Sequence, residues 1–214
     1  DSDAAVDSAG WTAFLSLLKR HRPAQPINGV MVAIGVDLLL GSDCAAIDAH
    51  ASAVRRRLGE LRRTLETAVP VYLIVTKGDL LAGFSEYFDD LDVEGRRAVL
   101  GATMPYADGR PSAEALARAF DTASQAVADR QARRLFEEVD QRRRGMMLGF
   151  PAQLRSLRAR LIRFAEGAFV AGDDSPATLR GFYFTSGIQE GAPLDRILAA
   201  MGDVYEQPVG ASME

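Results

Sequence analysis

The chain has 214 residues, of which 48% are apolar and 25% charged, with a formal net charge of −4. This length and composition suit a soluble globular protein with a sizeable core, and the charge gives no global case for binding nucleic acid or anionic membrane. Cys44 is the single cysteine, which excludes an internal disulfide framework, and with only two histidines a zinc site is not expected.

The first predicted elements form a strand–helix–strand unit. Residues 1–10 are small and polar and are expected to be frayed, whereas apolar side chains at helical spacing predict an amphipathic helix over 11–21. A short apolar run predicts a strand over 29–36, an apolar stripe predicts a helix over 44–67, and five apolar residues predict a strand over 71–75 that is covered on both faces. Two parallel strands joined by a helix make a right-handed βαβ unit, so the sequence predicts an α/β fold.

Roughly a hundred residues separate this unit from a third strand, predicted over 181–185, and such a length indicates an inserted helical subdomain rather than a loop. Helices are predicted over 84–88, 113–143, 151–169 and 193–201, with the two long ones separated near Pro151. The predicted organisation is an α/β core over 11–80 and 179–206, with the insertion over 81–178.

A polar turn, Thr76-Lys77-Gly78-Asp79, follows the second strand. Polar residues at the carboxyl end of a parallel strand lie where open α/β sheets bind ligands. The carboxylate of Asp79 can accept two N–H groups from a nucleotide base, and the stem of Lys77 can lie along the base. An ordinary polar turn, in which Gly78 supplies backbone freedom, explains the same residues and stays open.

Thr185, Ser186 and Gly187 follow the third strand in the same way. GTPase-like folds place a backbone contact to the base at the end of their last strand, so these residues are candidates for a second base contact. The alternative is a loop that precedes a helix.

Charge is uneven within the predicted insertion. Residues 79–94 contain six acidic residues and no basic one, whereas 130–163 contain ten arginines and three acidic residues. Solvated helix faces explain this pattern, and so does an arginine-rich docking surface for an acidic partner, for which the candidates are Arg142, Arg143 and Arg144. We expect no exposed aromatic residues to be interleaved with these arginines, so nucleic acid is not the predicted partner.

Two elements of nucleotide hydrolysis are absent from the sequence. There is no Gly-Lys dipeptide, and therefore no P-loop, and no Asp-x-x-Gly element follows a predicted strand. Phosphoryl transfer depends on positioned cations and phosphate contacts. No catalytic residue, metal site or cofactor is therefore assigned to this chain.

Several long segments of the sequence resemble the IcmF/TssM family. They are Trp11-x-x-Phe14-Leu15-x-x-Leu18, Arg22-Pro23-x-x-Pro26-Ile27-Asn28-Gly29-Val30, the stretch 70–84, and the stretch 179–191 that contains Gly181-Phe182-Tyr183-Phe184-Thr185-Ser186-Gly187. Members of this family are large inner-membrane proteins of type VI secretion systems, with relatives in type IV systems.

The resemblance implies a fragment of the family's cytoplasmic domain, which is GTPase-like (P-loop NTPase-like) and has its phosphate-binding half upstream of this chain. The implied base-binding residues are Thr76, Lys77, Asp79, Thr185, Ser186 and Gly187. Thr76 stands where true GTPases commonly have asparagine, and this departure puts selectivity for guanine in doubt. GTP or ATP with Mg²⁺ is implied only for the intact domain.

Two functions are compatible with this resemblance. In the first, the chain is part of a scaffold at the cytoplasmic face of the bacterial inner membrane, with a degenerate or incomplete nucleotide site. Its partners would be the small inner-membrane subunit and the tail baseplate, and it would reach the membrane only through the parent chain's transmembrane helices. In the second, the intact domain is an NTPase that switches the secretion complex between states.

Overall fold

The computed structural model describes residues 2–67, 69–92, 94–95, 98–104, 113–170 and 178–187. Within these residues, one sheet contains the strands β1 (Val30–Gly35), β2 (Pro70–Thr76), β3 (Leu100–Thr103) and β4 (Thr178–Phe184). Their order across the sheet is β1-β2-β4-β3. The β1, β2 and β4 strands are parallel, and β3 runs antiparallel to β4 at the edge. The predicted α/β class is therefore confirmed.

Helices follow one another along the chain in the order that the sequence predicts, with some additions. They are α1 (Ser2–His21), α2 (Val36–Gly41), α3 (Cys44–Leu65), α4 (Phe84–Phe88), α5 (Ala113–Glu137), α6 (Gln141–Ser156) and α7 (Arg158–Ala165). A 3-10 turn (Gly78–Leu80) follows β2, and a π-helical turn (Glu166–Val170) follows α7. The helix predicted over 193–201 lies outside the described residues.

The β2 strand is covered on one face. Val71, Leu73 and Val75 are fully buried, whereas Tyr72 and Ile74, which point to the opposite face, are half-buried. On that face Met31 of β1 lies beside Tyr72 and is 77% exposed. The sequence predicts cover on both faces because parallel strands usually have it, but the described residues provide it on one.

The boundaries of several elements differ from the predicted ones. Helix α1 begins at Ser2, so residues 2–10 are helical rather than frayed; Ala4 and Ala5 lie in this stretch, and alanine is the strongest helix former. The long helices are separated at 138–140 rather than near Pro151. Asp140 caps α6 by accepting a hydrogen bond from the backbone N–H of Arg143 at 2.9 Å.

Pro151 lies inside α6, where it lacks the N–H that would bond to the carbonyl of Met147. The side chain of Gln131, on α5, replaces that donor. Its Nε2 atom donates to the carbonyl oxygens of Met147 at 3.3 Å and Leu148 at 2.8 Å. A hydrogen bond between helices thus allows proline within this helix.

The predicted insertion and the sheet share one apolar core. Phe120 of α5 packs against Phe182 of β4, with ring centroids 5.9 Å apart, and both rings are fully buried. Phe150 of α6 and Phe164 of α7 are buried in the same cluster. The helices after β2 therefore cover the sheet, and the core is continuous across the predicted domain boundary.

Candidate functional site

The carboxyl ends of β2 and β4 bring the two predicted base-binding turns together. The backbone N–H of Thr185 donates to the carbonyl of Val75 at 2.8 Å, and the N–H of Gly78 donates to the carbonyl of Thr185 at 2.9 Å. Because β2 and β4 are parallel neighbours, the residues that follow them meet at one edge of the sheet. The sequence predicts these turns at successive strand ends, and in the structure they are in direct contact.

Four polar side chains at this edge, Asp37, Lys77, Asp79 and Ser186, form what we call the strand-end cluster. The Nζ atom of Lys77 donates to Oδ2 of Asp37 at 2.6 Å, and Oγ of Ser186 donates to Oδ1 of Asp79 at 2.7 Å. The hydrogen bond from Lys77, followed by its charge, lowers the pKa of Asp37 although partial burial opposes this. The polar groups of the cluster are thus bonded to one another.

The remaining candidates contribute backbone rather than side chains to this edge. Thr76 turns its hydroxyl away from the cluster and donates to the carbonyl of Ile34 at 3.1 Å, which joins β2 to β1. Thr185 acts through its backbone N–H and carbonyl, and Gly187 is exposed. A base site formed from these residues would therefore rest on Lys77, Asp79 and Ser186.

Gly78 is required by the close packing of the turn. A Cβ atom at this position would lie 2.9 Å from Cε2 of Phe84 and 3.2 Å from the carbonyl oxygen of Thr185. Lys77, just before it, has a φ of 60°, in the left-handed region that is uncommon for residues other than glycine. The conformation of this turn is therefore fixed by contacts with α4 and with the end of β4.

Asp37 is the member of the cluster that the candidate list missed. It lies in the first turn of α2, directly after β1, and its position at a strand end is the signal that could have identified it. Its pairing with Lys77 engages the ammonium group at the end of the stem that was expected to lie along a base. The side chains of Lys77 and Asp37 are 55% and 51% exposed, so water can replace either partner.

A second polar site lies between α4, α5 and α6, and we call it the arginine cluster. Its members are Arg130, Arg134 and Arg143 with the carboxylates of Asp89, Asp90 and Glu138. The side chain of Arg134 is 5% exposed and donates to the carbonyls of Tyr87 at 3.1 Å and Glu86 at 3.0 Å, and to Asp89 at 2.8 Å. Arginine is suited to such a site because its planar group offers several donors at once.

This cluster changes the interpretation of the uneven charge. The acidic stretch 79–94 supplies Asp89 and Asp90, which pair with arginines from the basic stretch 130–163. Of the three predicted docking residues, Arg143 bonds to Asp89 and to Glu138, the latter at 2.9 Å. Arg142 and Arg144 are exposed. Arg143 is therefore occupied within the fold, whereas its two neighbours face solvent.

An apolar cavity of about 270 Å³ lies away from both polar sites, between α1, β1 and α3. Its lining residues are Trp11, Val30, Val32, Ala53, Val54, Arg57, Leu58 and Leu61. The guanidinium of Arg57 lies 5.8 Å from the centre of the Trp11 ring, a cation–π distance. None of the predicted site residues reaches this cavity.

Two other features, a metal-binding group and a membrane-spanning helix, are absent from the described residues. Among those residues, no group of three or more His, Cys, Asp or Glu side chains is arranged to hold a metal ion. The described helices include none that is both long and apolar enough to cross a membrane.

Comparisons with known proteins place the sequence among secretion proteins. A family model described as the IcmF-related N-terminal domain matches residues 4–212. The chain is 44% identical over 207 residues to the type VI secretion system component TssM1 of Pseudomonas aeruginosa, a match that covers 94% of this chain and 19% of that protein. The chain therefore spans about a fifth of the length of this curated relative. No solved structure matches the chain.

Proposed function

This chain belongs to the IcmF/TssM family of type VI secretion components, and from that premise we propose that it is an interaction module of the secretion system's membrane complex. It acts at the cytoplasmic face of the inner membrane and contacts other components, namely the small inner-membrane subunit and the tail baseplate. The similarity to TssM1 supports the secretion system as its setting.

One observation favours an interaction module over a hydrolase: the polar side chains of the strand-end cluster form hydrogen bonds with one another. Lys77 is paired with Asp37, and one carboxylate oxygen of Asp79 accepts from Ser186. A base that bonds to both oxygens of Asp79 would compete with Ser186 for one of them, and a displaced hydrogen bond offsets roughly 0.5–1.5 kcal/mol of binding free energy. The cluster is best explained as a connection between the ends of β1, β2 and β4.

The helical region supports the same proposal through its rigidity. Arg134 joins α5 to the carbonyl groups at the end of α4, and Arg143 joins α6 to Asp89. Two further arginines fix α7: Arg158 bonds to Asp121 of α5, and Arg163 bonds to Asp48 of α3, each through two hydrogen bonds. A surface that is already ordered loses less entropy when it binds a partner.

The test compares two substitutions that remove the same hydrogen bond. Asp79→Ala and Ser186→Ala are introduced separately into the full-length protein of a bacterium with an active type VI system, and secretion is measured. If the cluster is structural, the two variants secrete alike and close to the wild type. A loss of secretion confined to Asp79→Ala, accompanied by loss of labelled GTP or ATP binding to the same variant, would overturn the proposal in favour of a nucleotide site.

A nucleotide-binding role is the second candidate, and a specific observation favours it. The two turns that the resemblance assigns to a base are in contact through the Gly78 N–H and the Thr185 carbonyl, and Asp79 is exposed. If the full-length protein binds labelled GTP or ATP, Asp79→Ala should weaken binding by roughly 1.5–3 kcal/mol, the range for a hydrogen bond to a charged group. Ser186→Ala is the matched control. Absence of binding by the wild type would remove this candidate.

A further inference from the structure

The connection between α5 and α6 presents large apolar side chains to solvent. Phe136, in the last turn of α5, and Val139, in the connection, are each 91% exposed. Arg142 and Arg144, in the first turn of α6, are also exposed. We call Phe136, Val139, Arg142 and Arg144 the hairpin tip. Exposed apolar side chains that lie close together can form part of an interaction site.

The backbone of this tip is held in place. The N–H of Glu138 donates to the carbonyl of Arg134 at 3.2 Å, and Asp140 caps α6 through the N–H of Arg143. The side chain of Arg143 then bonds to Glu138 and Asp89. Phe136 and Val139 are therefore displayed by an ordered turn next to the arginine cluster.

Two of the arginines at the tip have no ion-pair partner among the described residues, whereas the other arginines nearby are paired. Arg133 pairs with Glu137, Arg134 pairs with Asp89 and Asp90, and Arg143 pairs with Glu138 and Asp89. Asp140 accepts a hydrogen bond from the backbone N–H of Arg143 and keeps its negative charge, which Arg142 and Arg144 outnumber. Within the described ranges, the side chains of Arg142 and Arg144 form no ion pair. The tip thus combines two apolar side chains with two cations that are available to an anionic surface.

We propose that the hairpin tip docks on an anionic lipid surface, with Phe136 and Val139 entering the interface and Arg142 and Arg144 contacting lipid phosphates. In the headgroup region, apolar side chains leave water while neighbouring arginines are attracted to anionic lipid phosphates. An acidic protein would need a concave pocket to cover side chains that project this far, whereas a lipid surface accepts a convex tip without a preformed pocket. This contact goes beyond the proposed function, which requires only protein partners.

The test uses the purified chain and vesicles of defined composition. Vesicles of phosphatidylglycerol mixed with phosphatidylethanolamine provide an anionic surface, and phosphatidylcholine vesicles provide a neutral one. Co-sedimentation should show binding to the anionic vesicles only, and added salt should weaken it. The double variant Arg142→Glu/Arg144→Glu should lose about tenfold or more in partitioning, since each arginine near such a surface is worth roughly fivefold.

Matched control variants distinguish binding through the hairpin tip from a general effect of surface charge or apolar exposure. Arg155 is exposed on the same helix, and Arg155→Glu should keep most of the binding. Val99 is 72% exposed elsewhere, so Val99→Ser should have no effect, whereas Phe136→Ser/Val139→Ser should lose about tenfold because two apolar side chains no longer leave water. All these residues are exposed, so unchanged circular dichroism is expected for each variant.

A fluorescence experiment tests insertion directly. The chain has one tryptophan, Trp11, and Phe136→Trp adds a second indole at the tip. Anionic vesicles should shift the emission of this indole to the blue and brominated lipids should quench it, whereas the indole of Val99→Trp should respond to neither. Three results would overturn the proposal: no binding of the wild-type chain to anionic vesicles, equal loss in Arg155→Glu, or no response of the Phe136→Trp indole. Loss of secretion in tip variants without lipid binding would assign the tip to a protein partner instead.

Discussion

The arginine cluster and the strand-end cluster use the same kinds of groups in opposite environments. The side chain of Arg134 is 5% exposed, and its donors bond to backbone carbonyls as well as carboxylates. The side chains of Lys77 and Asp37 are both about half exposed. When a partner is removed, a buried group stays unsatisfied whereas an exposed one is solvated by water. The first cluster should therefore determine stability, and the second can change at little cost.

The electrostatics of a tyrosine and an aspartate show the same contrast. In the arginine cluster, burial raises the pKa of the Tyr87 hydroxyl above its ordinary value, even though Arg130 and Arg134 act in the opposite direction. At the strand ends, a hydrogen bond from Lys77 lowers the pKa of Asp37 and outweighs the opposing effect of burial. Desolvation dominates at the first site and direct pairing at the second.

The largest expected effect comes from Arg134→Leu. Removing the guanidinium leaves the carbonyls of Glu86 and Tyr87 without these donors and the carboxylates of Asp89 and Asp90 without their shared partner. We expect the free energy of unfolding to fall by about 3 kcal/mol, as measured by urea denaturation.

The matched control for this change is Arg133→Leu, one residue earlier on α5. The side chain of Arg133 is 81% exposed and pairs with Glu137 on the same helix. The free energy of unfolding should change by less than about 0.5 kcal/mol. Equal effects of the two substitutions would contradict the structural role of the buried arginine.

The next effect in size tests a neutral hydrogen bond in the same hairpin. Gln131→Leu removes the donor that reaches the carbonyls of Met147 and Leu148, and should cost about 1 kcal/mol. Pro151→Ala restores a backbone N–H four residues after Met147, so the cost of Gln131→Leu should shrink in that background. A double-mutant cycle measured by thermal unfolding would reveal this coupling, and strictly additive effects would argue against it.

At the strand ends the effects on stability should be smaller still. Asp79→Ala and Ser186→Ala each remove one exposed hydrogen bond, and each should cost less than about 0.5 kcal/mol. The double variant should be no less stable than the less stable of the two single variants, because both changes remove the same hydrogen bond. A cost near that of Arg134→Leu would show that the two clusters do not differ as proposed.

The sequence was sufficient for the elements that have strong local patterns. The buried stripe of α3, with Ile47, Leu58, Leu61 and Leu65, follows directly from helical spacing, and β2 follows from its β-branched run. The elements α2 and β3 were not predictable in this way, because each is short. Val36–Gly41 continues an apolar strand pattern, and Leu100–Thr103 contains a glycine and no β-branched pair. Short elements of this kind are determined by packing rather than by their own periodicity.

The candidate site divides in the same way. Its location was predictable, since residues that follow parallel strands meet at one edge. Its internal bonds were not, because Lys77 and Asp37 are 40 residues apart and Ser186 and Asp79 are 107 apart. Similarly, the sequence showed separate acidic and basic stretches, but only the packing of α4 against α5 and α6 showed that Asp89 and Asp90 pair with arginines of the same chain.

The smallest effect is a pH dependence at Asp37. Because its pKa in the folded chain is below its ordinary value of 3.8, the pairing with Lys77 stabilises the fold at every pH above that value, and the stabilisation is lost as the pH falls through the lowered pKa. Lys77→Met removes the cause, so the pKa of Asp37 should rise toward 3.8 and stability should depend less on pH in this acid range. Carboxyl NMR titration measures the change.

Asp48, whose pKa is lowered chiefly by the hydrogen bond from Arg163, is the internal reference and should titrate as before. If Asp37 kept its low pKa in Lys77→Met, its environment rather than the ion pair would be responsible, and the strand ends would resemble the buried cluster more than we infer.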